Sequence, residues 1–119
     1  SYTTFAYSDL AVTPLSASSD SVRVSLTLTN SGQRSGDEVV QLYLSDRAAS
    51  VSQPPLQLRA FKKVCLDAGE CRRVEFTLGF DELSLINADM KRVVEPGDFD
   101  ILVGASSQDI RLRAKFTVK

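Results

Sequence analysis

A two-residue rhythm of apolar and polar side chains runs through almost the whole chain, and it admits only one class of fold. From Val22 to Asn30, the apolar Val22, Val24, Leu26 and Leu28 alternate with Arg23, Ser25, Thr27 and Thr29. Successive side chains of an extended strand point to opposite faces, so this pattern buries one face and wets the other. No segment sustains the 3.6-residue period of an amphipathic helix, and Asp81-Glu82-Leu83 offers one short helical turn at most. The chain is expected to be all-β.

The same reading places the remaining strands. Val40, Leu42 and Leu44 form the next core-facing set, with Val39, Gln41 and Tyr43 on the opposite face. The stretch from Ala48 to Pro55 reads as a loop, because its prolines remove ladder donors, and it leads into a strand from Leu58 to Leu66. Asp67-Ala68-Gly69-Glu70 is a turn, followed by Val74, Phe76 and Leu78 in the apolar phase, so these two strands are expected to form a hairpin. Pro96-Gly97 precedes Phe99, Ile101 and Val103, with Asp98 and Asp100 facing out. The last strand sends Leu112, Ala114, Phe116 and Val118 inward and Arg111, Arg113, Lys115 and Lys119 outward, charges that suit a sheet edge. With a weaker first strand at Leu10 to Val12, about seven short strands predict an immunoglobulin-like β-sandwich. The 119 residues, 43% hydrophobic and 24% charged, are enough for one globular domain covering 1–119.

Composition excludes several chemistries. The chain has no histidine, which removes Ser-His-Asp triads, Cys-His pairs and His-based zinc sites. Its two cysteines, Cys65 and Cys71, lie six residues apart, without the CxxC spacing of redox motifs. Extrapolated alternation puts both on the outer face of the expected hairpin beside its turn, either joined as a disulfide or present as two free thiols. Fourteen basic and fifteen acidic residues give a net charge of −1, so no nucleic-acid partner is expected. No apolar run approaches the roughly 20 residues of a spanning helix, and Ser1 opens no signal peptide, so the expected fragment is soluble, monomeric and without a membrane partner.

Catalysis would have to rest on carboxylates. Asp37-Glu38, Asp81-Glu82 and the pair Asp98 and Asp100 all fall at turns or on outward faces. No apolar pocket surrounds them to separate two pKa values, as a glycosidase pair requires. Asp98 and Asp100 also lack the further oxygen ligands of a calcium site. No catalytic residue, metal site or cofactor is expected. A carbohydrate-binding or adhesive module is the alternative reading, and it is weakened by the absence of Trp and by the inward phase of Phe76, Phe99 and Phe116. Tyr2, Tyr7, Tyr43, Phe61 and Phe80 are scattered and form no sugar platform.

Several motifs are specific. Asn30-Ser31-Gly32 followed by Gly36-Asp37-Glu38-Val39-Val40-Gln41-Leu42-Tyr43 resembles the "TNTG...GDEVVQLY" signature of the fibronectin type III-like domain that ends many family 3 glycoside hydrolases. Gln53-Pro54 through Leu58 and Phe61-Lys62-Lys63-Val64 resemble that family's "RPVKELKGFKRV", and Leu66 through Glu70 its "L-x-x-G-E" turn. Glu95-Pro96-Gly97-Asp98-Phe99 and Val103-Gly104-Ala105-Ser106-Ser107 resemble "EPGEFxxxVGxSS", and Ser1-Tyr2-Thr3-Thr4-Phe5 resembles the "LSYTTF" that joins the domain to the enzyme body. The chain departs at Leu56, Gln57 and Ala60, where the family often has Lys, Glu and Gly.

The resemblance implies a non-catalytic accessory domain that packs against the catalytic domains of a β-glucosidase-like parent, periplasmic or secreted. The parent's nucleophile, acid/base and sugar specificity would lie outside this fragment. Val39, Gln41 and Tyr43 lack the charge of an ordinary solvent face, so together with the Ser50 to Phe61 loop, and Pro54, Leu56 and Phe61 in it, they are either the expected interdomain contact or a sheet face covered by that loop itself.

Overall fold

The computed structural model describes residues 3–15, 21–46, 56–86, 92–93 and 97–118. Among the described residues, nine strands and one helical turn follow in the order β1 (Phe5–Pro14), β2 (Val22–Asn30), β3 (Gly36–Asp46), β4 (Gln57–Leu66), β5 (Cys71–Leu78), α1 (Phe80–Leu83), β6 (Leu85–Ile86), β7 (Arg92–Val93), β8 (Gly97–Ser106) and β9 (Asp109–Val118). Seven of the strands build two antiparallel sheets, β1-β2-β5 and β4-β3-β8-β9, and β6 pairs with β7 separately. The molecule is the all-β sandwich that the alternation predicts.

Its core comes from the inward phases of the two sheets. Val22, Val24, Leu26 and Leu28 of β2 face Val40 and Leu42 of β3 and Ile101 and Val103 of β8, all fully buried. Phe99 and Phe116 stack with their centroids 5.5 Å apart. On β9 the predicted inward set holds, with Phe116 and Val118 buried and Leu112 and Ala114 packed against the core. The β9 strand is also an edge, and Arg111, Arg113 and Lys115 on its other face are exposed.

Two expectations fail. The first strand is not a weak Leu10 to Val12 segment. It runs from Phe5 to Pro14 with a bulge between Ser8 and Ala11, where Asp9 takes a positive φ of 54°. A bulge breaks the two-residue phase and hides the strand from a periodicity reading. The second concerns the hairpin: β4 and β5 pair with β3 and β2 respectively and so belong to opposite sheets. The Asp67–Glu70 turn carries the chain across the sandwich because its backbone is tied to the end of β2. The Asn30 N–H donates to the Glu70 carbonyl and the Gly69 N–H to the Asn30 carbonyl, both at 2.9 Å. Gly69 supplies the positive φ, 78°, that this turn requires.

Candidate functional site

The two outer faces of the sandwich differ in kind. On the three-stranded sheet the outward positions are Arg23, Ser25, Thr27 and Thr29 of β2 and Arg73, Glu75 and Thr77 of β5. Arg73 lies flat across them, its guanidinium donating to Thr27 Oγ1 at 3.0 Å, to Ser25 Oγ at 2.9 Å and to the Asp9 carbonyl at 2.7 Å. These polar groups satisfy one another, as a water-facing surface should.

The four-stranded sheet turns an apolar band outward. Register pairs Val39 with Lys63, Gln41 with Phe61, and Tyr43 with Leu58 across β3 and β4, and Tyr43 with Leu102 across β3 and β8. Residues paired in register share a face, so Val39, Gln41, Tyr43, Leu58, Phe61 and Leu102 form one surface, flanked by Lys63 opposite Val39 and Arg113 opposite Leu102. It is open only on the β3–β4 side. Phe61 is 66% exposed, Leu58 48% and Val39 39%, whereas Tyr43 and Leu102 are buried. The Tyr43 hydroxyl donates to Gln41 Oε1. Leu56, just ahead of β4, is also exposed, and Pro54 lies outside the described residues.

This placement revises the sequence expectation in detail. Phe61 sits within strand β4, not in a loop ending at it. Tyr43 is buried within the domain. Leu58 joins the open face because a bulge between Leu42 and Tyr43 makes Arg59 the extra residue, and without it strict alternation from Val64 and Leu66 would turn Leu58 inward. Leu102 was legible as the middle of the unbroken apolar run Ile101-Leu102-Val103, a signal that both faces are covered.

A second cluster of polar and charged groups joins β1, β3 and β9. Tyr7 of β1 donates to Glu38 Oε2 of β3 at 2.9 Å, and the Arg111 guanidinium of β9 lies 5.4 Å from the Tyr7 ring centroid. Arg111 also donates to the Phe5 carbonyl at 3.1 Å and to Asp109 at 2.6 Å, so the cluster closes one side of the sandwich. Burial, together with the neighbouring Glu38 carboxylate, pushes the Tyr7 phenol well above its ordinary range. Arg111 holds Asp109 below the usual carboxylate range. Among the described residues no group of three or more His, Cys, Asp or Glu side chains is placed to hold a metal.

Cys65 and Cys71 are both free and exposed. Cys65 pairs with Asp37 on one sheet and Cys71 with Thr29 on the other, so the hairpin that would set them opposite each other does not form. A hydrogen bond to the Asp37 carboxylate pushes the Cys65 thiol up. The same bond, with the Lys63 ammonium 3.4 Å away, holds Asp37 down.

Comparison with known proteins gives this architecture a context. The profile of the fibronectin type III-like domain matches residues 38–107. The chain is 47% identical to a β-xylosidase of Formosa agariphila over all of its own length and 17% of that protein's. It is 38% identical to the periplasmic β-glucosidase of Salmonella typhimurium, covering 93% of this chain and 15% of that one. A solved β-glucosidase from Chaetomella raphigera superposes with a TM-score of 0.89 at 36% identity, over 99% of this chain and 19% of that structure. The chain thus spans less than a fifth of the length of each relative it matches.

Proposed function

The chain belongs to the fibronectin type III-like domain family, and from that we propose that it is the accessory domain of a family 3 glycoside hydrolase of β-glucosidase or β-xylosidase type, docked against the catalytic part of its own chain. It contributes packing and no chemistry. The docking face is the open band of Val39, Gln41, Leu56, Leu58 and Phe61. One domain over 1–119 is part of this reading, and the place of β1 and β9 in its sheets supports it.

The observation that carries this reading is Phe61, an aromatic ring on strand β4 and two-thirds exposed, on the same face as exposed Leu58 and Val39. Contiguous apolar surface on a strand face marks a contact site. Covering Phe61 alone would contribute about 1–2 kcal/mol, and contacts between domains of one chain typically bury about 600–1,500 Å². The periplasmic relative supports a periplasmic or secreted parent. Sugar specificity would lie in the parent's catalytic part.

Phe61→Ser tests the reading. In the isolated chain the melting temperature should stay within about 2 °C, because an exposed ring contributes little to the domain's own packing. In the full-length chain the same change should lower the melting temperature. Equal destabilisation of both would overturn docking.

A further inference from the structure

The segment leading into β1 is held against the β2–β3 turn by side chain and backbone together. The Thr3 hydroxyl donates to Asn30 Oδ1 at 2.8 Å, and the Ser31 N–H donates to the Thr4 carbonyl at 2.9 Å. The Thr4 and Ser31 hydroxyls lie 3.0 Å apart in a further hydrogen bond. Asn30 is fully buried, and its carboxamide also accepts from the Gly32 N–H at 3.0 Å and donates to the Arg34 and Leu66 carbonyls at 2.7 and 3.1 Å.

Two glycines leave the space that Thr3 fills. A Cβ on Gly32 would stand 1.9 Å from Thr3 Oγ1, and one on Gly36 would stand 2.6 Å from Thr3 Cγ2. Neither glycine has a positive φ, whereas Gly69 and Gly97 do. Space, not backbone conformation, is therefore what requires glycine at 32 and 36.

We propose that Thr3, seated between Gly32 and Gly36 and bonded to Asn30, is a locking residue that fixes the direction in which the chain enters the sandwich. Where the catalytic part precedes it in a longer chain, as the docking proposal would have it, the connection is then a rigid joint that presents the Phe61 face in one orientation. The lock is read from this chain alone; only the orientation of a neighbour rests on the docking proposal above. A tether free to swing would spread the docking face over many directions, and each kcal/mol of ordering entropy would then be lost on contact. Anchoring the entry segment removes that loss beforehand.

Size exchange at the socket tests the lock. Gly36→Ala places a methyl group on Thr3 Cγ2, so the Ser31 amide, which bonds the Thr4 carbonyl, should exchange its hydrogen about tenfold faster or more. Thr3→Ser removes Cγ2 and keeps the hydroxyl. The next atoms around a Gly36 Cβ, Phe5 Cζ and Thr3 Cβ, are 3.6 and 3.8 Å away, an ordinary contact distance. The Gly36→Ala, Thr3→Ser double variant should therefore recover wild-type exchange to within about twofold. Unchanged exchange in Gly36→Ala, or a double variant no better than the single, would overturn the lock whatever becomes of docking. In the full-length chain, Thr3→Gly should speed proteolytic release of the domain by about fivefold or more, because a loosened joint opens to the protease. An unchanged release rate there, with accelerated Ser31 exchange, would leave the lock in place and overturn its role as a rigid joint.

Discussion

Replacing Asn30 by alanine should be among the most damaging single changes in this domain, although Asn30 belongs to a turn-forming Asn-Ser-Gly sequence. Its side chain is fully buried and makes four hydrogen bonds, two accepted and two donated. Truncation orphans the Leu66 carbonyl, whose bond is wholly buried, at a cost of about 1–3 kcal/mol. The other three bonds are part-buried, so water recovers some of them, at about 0.5–1 kcal/mol each. The total is about 2.5–6 kcal/mol, a large share of the roughly 5–15 kcal/mol that holds a domain folded. At about 4 °C per kcal/mol for a domain of this size, the melting temperature should fall by about 10–24 °C. Chemical denaturation of the isolated chain measures the loss directly. Asn30→Asp keeps both acceptors but turns a carboxylate oxygen toward two carbonyls, and it should be no milder. Ser31→Ala next door, which loses only an exposed bond to Thr4, should cost less than about 0.5 kcal/mol. An Asn30→Ala loss below about 1 kcal/mol would refute the account of Asn30 as the node joining β2, β4 and the entry segment.

Three further outcomes are expected. Gly104→Ala would set a Cβ 2.0 Å from the Asp109 carbonyl oxygen, a backbone atom that cannot step aside, so denaturation should show a loss of about 3 kcal/mol or more. The Tyr7 phenol is raised in the folded state above its ordinary 10.0, so its contribution is complete below about pH 10 and is lost as pH rises beyond that, when the unfolded chain's phenol ionises first; Tyr7→Phe should flatten the alkaline fall of stability, and an unchanged alkaline profile would count against the Glu38 bond. Thiol titration of denatured, never-reduced protein should find two reactive groups, and in a Cys71→Ser background Asp37→Asn should speed the native-state reaction of Cys65 at pH 8, because the carboxylate that keeps the thiol protonated is gone.

How much of this was readable in advance follows from the distance over which each feature is decided. Alternation is a local property. Val22 to Leu28, Val40 to Leu44 and Phe99 to Val103 therefore announced their buried faces without reference to any other strand, and the count of seven sheet strands followed. The basic face of the edge strand β9 was legible for the same reason. Partnership between strands is not local. The turn after Leu66 carries the same residues whether β5 folds back onto β4 or crosses to β2, and the bonds of Asn30 to Gly69 and Glu70, some forty residues away in sequence, decide for the crossing. That separates Cys65 from Cys71 and places them on different sheets.

The candidate site divides along the same line. The uncharged outward phase of Val39, Gln41 and Tyr43 was written in the sequence, but which part of that face stays open was not. A single bulge at Arg59 shifts the phase of β4, so that Leu58 and Phe61, three residues apart, both emerge on the β3 side where Val39 stands. The socket around Thr3 is likewise tertiary. Gly32 and Gly36 enter the sequence only as letters of a motif; neither has a positive φ, and the arrival of Thr3, just ahead of β1, explains why no side chain fits there. The sequence by itself determined which residues are inside and what class of fold they build, because burial depends on a strand's own period. Tertiary structure alone decided which strands meet, which apolar residues remain uncovered and what the glycines make room for, because those depend on contacts between segments that no local pattern records.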